Sequence, residues 1–465
     1  MSHKFRVAVC GGGISALTLA VTLGRYSQVP IDIYEAASEI GTVGAGLAVW
    51  KRTWDIMCRL GLDAEMDKRS LSHPSEGENL ALILRRSDQL EEGTVAYQVV
   101  SSYSHIPLHR AQLVDMLKSR LPRTCTIHTS KCLESYTRCT DSSYILRFTD
   151  GSTATTDVLI GADGVRSAVR KSMFQDLSVQ GKLPPDLLSP EAFHKAVEPQ
   201  WSGITVYRSL IQSQKLREIS PDNPLFSAKA PMNFVGKGKH IIAYPISSGT
   251  LINFLAFDTD PDGEGKEFQG KWVCDTPKEE VLNLYKGWEP CVQSLLESLD
   301  GVVSRWAVHV GGSLPLCVSD SVALIGDAVH AMTTHASAGA GQAMEDAYIL
   351  GRLLSDELTT ESMVPKALKI YQDIRLSVAN NVVAISQDLG NMYEFNFGPY
   401  DGEDRENKDA IMRWGQAIFS KWRFHWIGIP EDDWKTARRR LTDEENTFCQ
   451  TEIRYDKISK SLPVA

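Results

Sequence analysis

The stretch "FRVAVCGGGISALTLAVTLGRY", residues 5–26, decides the fold of this chain. Phe5–Cys10 is a short apolar run, the pattern of a parallel strand covered on both faces. A glycine turn follows, then a helix-forming segment, and "IDIYE" at 31–35 reads as a second strand. Within the turn, Gly11-x-Gly13-x-x-Ala16 is the dinucleotide fingerprint in its alanine form. Gly11 permits the tight turn, Gly13 lets the backbone approach a pyrophosphate, and Ala16 lets the helix lie close on the strand. The phosphates then rest on unpaired N–H groups at the helix start. Glu35 closes the second strand 24 residues after Gly11, where an acid accepts hydrogen bonds from ribose hydroxyls.

A second stretch selects among dinucleotides: "SVALIGDAVHAMTTHASAGAGQAMEDA", residues 321–347. An apolar run stops at Gly326-Asp327, which puts a carboxylate where a flavin cofactor carries its polyol. The bare Ala338–Gly341 segment then opens a helix whose N–H groups can approach a flat ring. Such a helix end stabilises negative charge by about 0.3–2 kcal/mol, and a reduced flavin is anionic. A nicotinamide dinucleotide has no ribityl chain to meet Asp327, so the pattern favours FAD.

The rest of the chain bounds the answer. Its 465 residues are 43% hydrophobic, 8% aromatic and 23% charged, as in a globular protein with a large core. Forty-nine basic against 58 acidic side chains leave a net charge of −9, which argues against a nucleic-acid partner. The nine cysteines form no C-x-x-C pair, so no metal site is expected and the thiols read as reduced. The chain starts with a strand and has no run of about 18 apolar residues, so a cytoplasmic enzyme with no membrane contact is expected. Residues 109–121 have helical spacing. Residues 124–161 read as an antiparallel element, and the proline-containing 176–200 as a connection. Residues 201–257 alternate as strands, with a hairpin at Ser247-Ser248-Gly249.

These pieces predict an α/β flavoprotein: a discontinuous FAD-binding Rossmann-like domain with an inserted mostly-β substrate domain and a helical C-terminal region. The FAD domain is drawn over 1–75, 105–180 and 305–360. The substrate domain takes 76–104 and 181–304, and the helical region 361–465. The Arg438–Arg440 run reads as a solvated helix face. The chain is expected as a monomer or homodimer, its tryptophan-rich C-terminus being available to a partner copy.

Taken in order, "GGGISALTLA" with Glu35, "GAGLAVW" at 44–50, "HRAQL" at 109–113, "GADGVRS" at 161–167 and "GDAVHAM…GAGQAMEDA" span nearly the whole chain. In these motifs the sequence resembles the group A FAD-dependent aromatic monooxygenases, the salicylate and 4-hydroxybenzoate hydroxylase family, and most of all their fungal salicylate-hydroxylase-like branch. The resemblance implies hydroxylation of a phenolic substrate with NAD(P)H and O2, FAD carrying the oxygen chemistry. It implies that Glu35 binds the adenosine ribose, that Ala48 meets FAD through its backbone, and that Arg110 reaches the diphosphate–ribityl region. Asp163 belongs to a motif associated with both FAD and NAD(P)H, and Asp327 and Ala340 complete the FAD contacts. NAD(P)H is used without a second nucleotide-binding fold.

Arg208 in "VYRSL" and Tyr244 in "AYPIS" resemble positions that line the substrate pocket of fungal relatives, and they are the candidate catalytic residues. Arg208 can hold a carboxylate or phenolate, and Tyr244 can orient a phenol oxygen. The substrate class implied is a hydroxybenzoate-type acid. Attack at a carbon bearing the carboxylate would release CO2. The alternatives are a fungal biosynthetic hydroxylase acting on a larger phenol, by dearomatisation or ring hydroxylation, and an FAD dehydrogenase without oxygenase activity. The chain departs from the family in carrying Thr334 for a proline and Ser337 for a common glycine, which implies an altered pocket. His335 is expected to pack or face solvent rather than act as a base, and Lys51-Arg52 to be an exposed helix-start charge.

Overall fold

The computed structural model describes residues 4–41, 46–69 and 73–461, with side chains as far as 447. Two large sheets organise the chain. The first has six strands in the order 318–319, 322–324, 158–161, 7–10, 31–34 and 125–128, parallel except at the 318–319 edge. Val7–Cys10 runs through its middle and is buried at every position, which is why its sequence does not alternate. The helices Ile14–Tyr26 and Gly339–Ser355 pack against each other beside this sheet, so the fingerprint helix and the "GAGQAMEDA" helix are neighbours.

Cys125–His128 belongs to this parallel sheet, not to the antiparallel element expected over 124–161. It is an edge strand, half-buried, and so mimics the alternation of an antiparallel one. The antiparallel element is a separate three-stranded sheet of 133–138, 144–148 and 153–156.

The second sheet has eight strands, in the order 273–277, 302–310, 200–212, 251–264, 239–246, 232–236, 76–86 and 94–103. All neighbours are antiparallel except 232–236 with 76–86. The strand Val302–Val310 carries this sheet past residue 304, where the sequence reading placed its edge. Residues 185–197 go the other way: Leu187, Ala196 and Val197 join the core of the first body. Pro185 and Pro190 made this stretch read as a connection, yet both stand at a first helical position, where a missing N–H costs nothing.

Alternation gives the eight-stranded sheet two different faces. Tyr207, Ile241, Ala243 and Phe254 face a core closed by Leu216, Val281 and Leu295 of three short helices. Arg208, His240, Ile242 and Tyr244 take the opposite face, toward the first body. The C-terminal helices Val364–Tyr393 and Lys408–Trp422 close over this region. Trp414 donates to the Met392 carbonyl and Trp422 to the Tyr393 hydroxyl, both at 2.9 Å. These tryptophans are therefore buried within the chain and not left for a partner copy. Arg438 pairs with Asp356 and Arg440 with Asp373 along an exposed helix face. Among the described residues no helix is long and apolar enough to cross a membrane.

Ser337 has φ of +49°, left-handed backbone that a Cβ disfavours. We expect Ser337→Gly to raise stability by about 0.5–1 kcal/mol. Thermal unfolding of the two proteins checks this, and an unchanged or lowered Tm would show that the serine is not strained.

Candidate active site

At the fingerprint turn, Gly11 has φ of +98°, and a Cβ there would lie 2.2 Å from the Ala162 carbonyl oxygen. A Cβ on Gly13 would meet nothing within 4 Å. Gly13 also precedes the Ile14–Tyr26 helix without any side-chain cap, so open space lies in front of free helix N–H groups. Ala16 is fully buried against the sheet. Glu35 accepts from the Gly12 N–H at 2.6 Å and from the Ala37 N–H at 2.8 Å, which fixes its carboxylate at the rim of the turn. An uncapped helix start behind a bare glycine, with an acid beside it, fits a dinucleotide pyrophosphate and its ribose.

The second glycine segment meets the first. Gly326 has φ of +61°, and a Cβ on it would stand 2.9 Å from Ser15 Oγ in the fingerprint helix. Asp327 follows, exposed, with no hydrogen bond or ion pair among the described residues. The Gly339–Ser355 helix starts after Ala338 with no side-chain cap. Ala340 lies in its first turn, a Cβ on Gly339 would meet nothing, and one on Gly341 would strike Thr53 Oγ1 at 2.7 Å. Two uncapped helix starts and a free carboxylate therefore surround one space. This donor set fits FAD: N–H groups for the diphosphate and ring, Asp327 for the polyol.

Asp163 sits against the turn, its Cα 3.0 Å from where a Gly11 Cβ would be. Its carboxylate accepts from Ser167 Oγ at 2.5 Å and from the Val169 N–H at 3.1 Å, capping the helix that starts at Ala168. Burial raises its pKa, and these hydrogen bonds oppose the rise. Ala48 lies in Gly46–Val49, which pairs with Ile106–His109 and so brings Arg110 alongside. Gly44 and Ala45 of the 44–50 motif lie outside the described residues.

A buried charge network behind these segments was not legible in the sequence. Arg375 donates to Asp346 at 2.9 Å, to Glu345 at 2.8 Å and to the Gln342 side-chain Oε1 at 2.7 Å. Asp346 also accepts from the Gly326 N–H at 3.1 Å and pairs with His330 at 2.6 Å. Burial opposes ionisation of Asp346, but His330 and Arg375 outweigh it and hold the carboxyl low. Burial likewise opposes the charge on His330, but Asp346 overcomes it and raises the pKa. Arg52 pairs with Glu345 and with Asp433, both at 2.7 Å, so it is a half-buried tie and not the exposed charge expected. Arg170 is a second missed residue: fully buried, it donates to the carbonyls of Val165, Val197 and Ala328, joining the "GADG" and "GDAVH" loops.

On the cleft side of the eight-stranded sheet, the Arg208 guanidinium stacks 4.9 Å from the Trp306 ring centre. Burial lowers its pKa, Tyr244 raises it, and the neighbouring cation Arg110 lowers it further. Neither arginine makes an ion pair among the described residues. Tyr244 reaches the first body: a Cβ on Gly46 would lie 3.3 Å from its Oη. Burial pushes its phenol above the ordinary tyrosine range, with Asn253 and Arg208 opposing, so it stays protonated at neutral pH. The Gly46–Val49 strand with Ala48, Arg110, Arg208 and Tyr244 thus lie near one another where the two bodies meet. Thr334 is exposed, and its carbonyl accepts from the Ser337 N–H at 3.1 Å. His335 is buried against Phe257, His240 and Gly390, its pKa lowered to about 3 by burial, so it is a neutral packing group.

Residues 4–238 and 316–386 match the family model described as FAD binding domain. The chain is 30% identical over 440 residues to a salicylate hydroxylase of Pseudomonas putida, covering 94% of each chain. It is 28% identical over 473 residues to the 6-methylsalicylate 1-monooxygenase atA of Aspergillus terreus, covering 99% of this chain and 96% of that one. A solved salicylate hydroxylase substrate complex matches with a TM-score of 0.77 at 29% identity, covering 93% of this chain and 98% of that one. The chain belongs to the FAD-binding family of flavoprotein aromatic monooxygenases. It is an FAD-dependent hydroxylase that takes NAD(P)H as co-substrate.

Asp346→Ala leaves Arg375 and His330 without their shared carboxylate. We expect a loss of about 3–5 kcal/mol in stability, together with weaker FAD retention. Denaturant unfolding with and without FAD measures both. The native pKa of Asp346 is depressed, so its contribution is present above the ordinary carboxylate pKa of about 4 and is lost as pH falls through the lower native value. The acid arm of the unfolding curve should therefore flatten in the variant; an unchanged arm would remove Asp346 from the account.

Proposed function

We propose that the chain hydroxylates a small phenolic acid of the hydroxybenzoate type, with the substrate carboxylate on Arg208 and a ring oxygen at Tyr244. The observation that carries this reading is Arg208, half-buried on the face it shares with Tyr244, stacked on Trp306 and without an ion pair among the described residues. A half-buried cation without a counter-ion is explained where an anionic ligand supplies the missing charge. The names of the salicylate and 6-methylsalicylate relatives agree with that chemistry.

Bound FAD supplies hydride acceptance from NAD(P)H and the activation of O2; the chain's own residues do the rest. Gly11, Gly13 and Ala16 form the pyrophosphate turn, with Glu35 on the ribose. Asp327, Ala340, Ala48 and Arg110 meet the remainder of the cofactor, and Asp163 orders the loop that backs the turn. Arg208 fixes the acid end of the substrate, and its stacking on Trp306 keeps the guanidinium in one orientation. Tyr244, protonated at working pH, donates to the phenolic oxygen and sets which carbon faces the flavin. The apolar side chains Ile242 and Leu255 beside them keep water out of the cleft. A carboxylate on the attacked carbon leaves as CO2, so decarboxylation follows from which ring carbon is presented.

NADH and NADPH oxidation by the FAD-loaded protein, measured across hydroxybenzoates and bulkier alkylated phenols, tests the reading. We expect hydroxybenzoates to stimulate oxidation with matching oxygenated product, and one CO2 per product where attack falls on the carboxylated carbon. Arg208→Ala should raise KM for the acid by roughly 10–100-fold, the value of a charge-assisted contact, with a smaller change in kcat. Stimulation by neutral bulky phenols alone would favour the larger-phenol reading and overturn this one.

A further inference from the structure

The cleft face of the eight-stranded sheet is apolar apart from a few side chains, and one of them has no evident structural reason to be polar. Asn253 is 3% exposed. In the strand register it stands directly opposite Tyr244, while Leu255 stands opposite Arg208. Residues two apart on a strand share a face, so Asn253 lies between the two candidate catalytic residues. Among the described residues its Nδ2 makes no hydrogen bond of good geometry, although the Tyr244 phenol lies near enough for Asn253 to oppose the rise that burial gives that phenol's pKa. An unmade hydrogen bond on a buried amide is costly, and a leucine would suit the face shared with Leu255 better. A retained, unpaired donor between a cation and a phenol is explained by an acceptor that arrives with the ligand. The neighbouring Asn233 is fully buried with neither amide atom bonded, so unmet hydrogen-bonding capacity extends along this face.

We propose that Asn253 is a substrate-binding residue whose Nδ2–H donates to the phenolic oxygen of the ring that is hydroxylated. This rests on the reading of the cleft as a hydroxybenzoate site. The oxygen then receives two donors, Tyr244 Oη–H and Asn253 Nδ2–H, while Arg208 holds the carboxylate. Two donors on one oxygen favour its ionised form over its protonated form, and an ionised phenol oxygen makes the ring richer in electrons. Asn253 therefore both selects for a ring oxygen at that position and activates the ring that carries it.

Benzoate and 2-hydroxybenzoate, which differ only in that oxygen, are the probes, and calorimetric titration of the FAD-loaded protein is the measurement. Asn253→Leu should weaken 2-hydroxybenzoate roughly tenfold and leave benzoate unchanged. Asn253→Gln, which keeps an amide donor, should recover part of the loss and guards against a folding defect in the leucine variant. Arg208→Ala should weaken both ligands. If Arg208→Ala weakens both while Asn253→Leu affects the two ligands equally or not at all, the Asn253 assignment is overturned and the site reading stands. If the wild-type protein binds neither ligand, the hydroxybenzoate reading fails and the Asn253 assignment falls with it.

Discussion

The guanidinium of Arg375, buried between Glu345 and Asp346, is the point on which the cofactor side of the molecule depends. Removing a charge from water is expensive, and here the cost is met by carboxylates on one helix turn and by the Gln342 amide. Asp346 passes the constraint on, because its second oxygen holds both the Gly326 N–H and His330. The turn that presents Asp327 is thereby tied to the helix that presents Ala340, and both to the long Val364–Tyr393 helix. Arg52 extends the same network to the segment after Ala48 and to the C-terminal helix. The short cofactor-facing segments carry few side chains of their own, so their positions are set from behind.

The cleft is organised on the opposite principle. Behind the cofactor site the buried charges of Arg375, Glu345 and Asp346 are paired; Arg110 and Arg208 make no ion pair among the described residues. The first arrangement fixes geometry and the second leaves a potential that an anion can satisfy. Tyr244 belongs with the second, since burial keeps it a hydrogen-bond donor over the neutral range.

Much of this was legible in the sequence. The Phe5–Glu35 unit, the two glycine segments and the 247–249 hairpin were readable because turn chemistry and period are local. Arg208 and Tyr244 were marked only by the resemblance to fungal relatives; the strand register is what puts both on one face of the eight-stranded sheet. The Arg375 network was not legible, because nothing near Arg375 in the chain distinguishes it from any helix cation until Asp346 is packed against it. Arg52 read as an exposed charge for the same reason. Asn253 was missed because a lone asparagine in a strand carries no signal until its amide is found without a partner. The prolines at 185 and 190 misled by marking helix starts where breaks were expected, and Cys125–His128 by sitting at an edge.

The most direct test of the account is a crystal structure of the FAD-loaded protein with 2-hydroxybenzoate bound. The account predicts the ring between the Gly46–Val49 strand and the Tyr244 face, its carboxylate about 3 Å from the Arg208 guanidinium. A ring bound elsewhere, or a carboxylate turned away from Arg208 toward solvent, would contradict it.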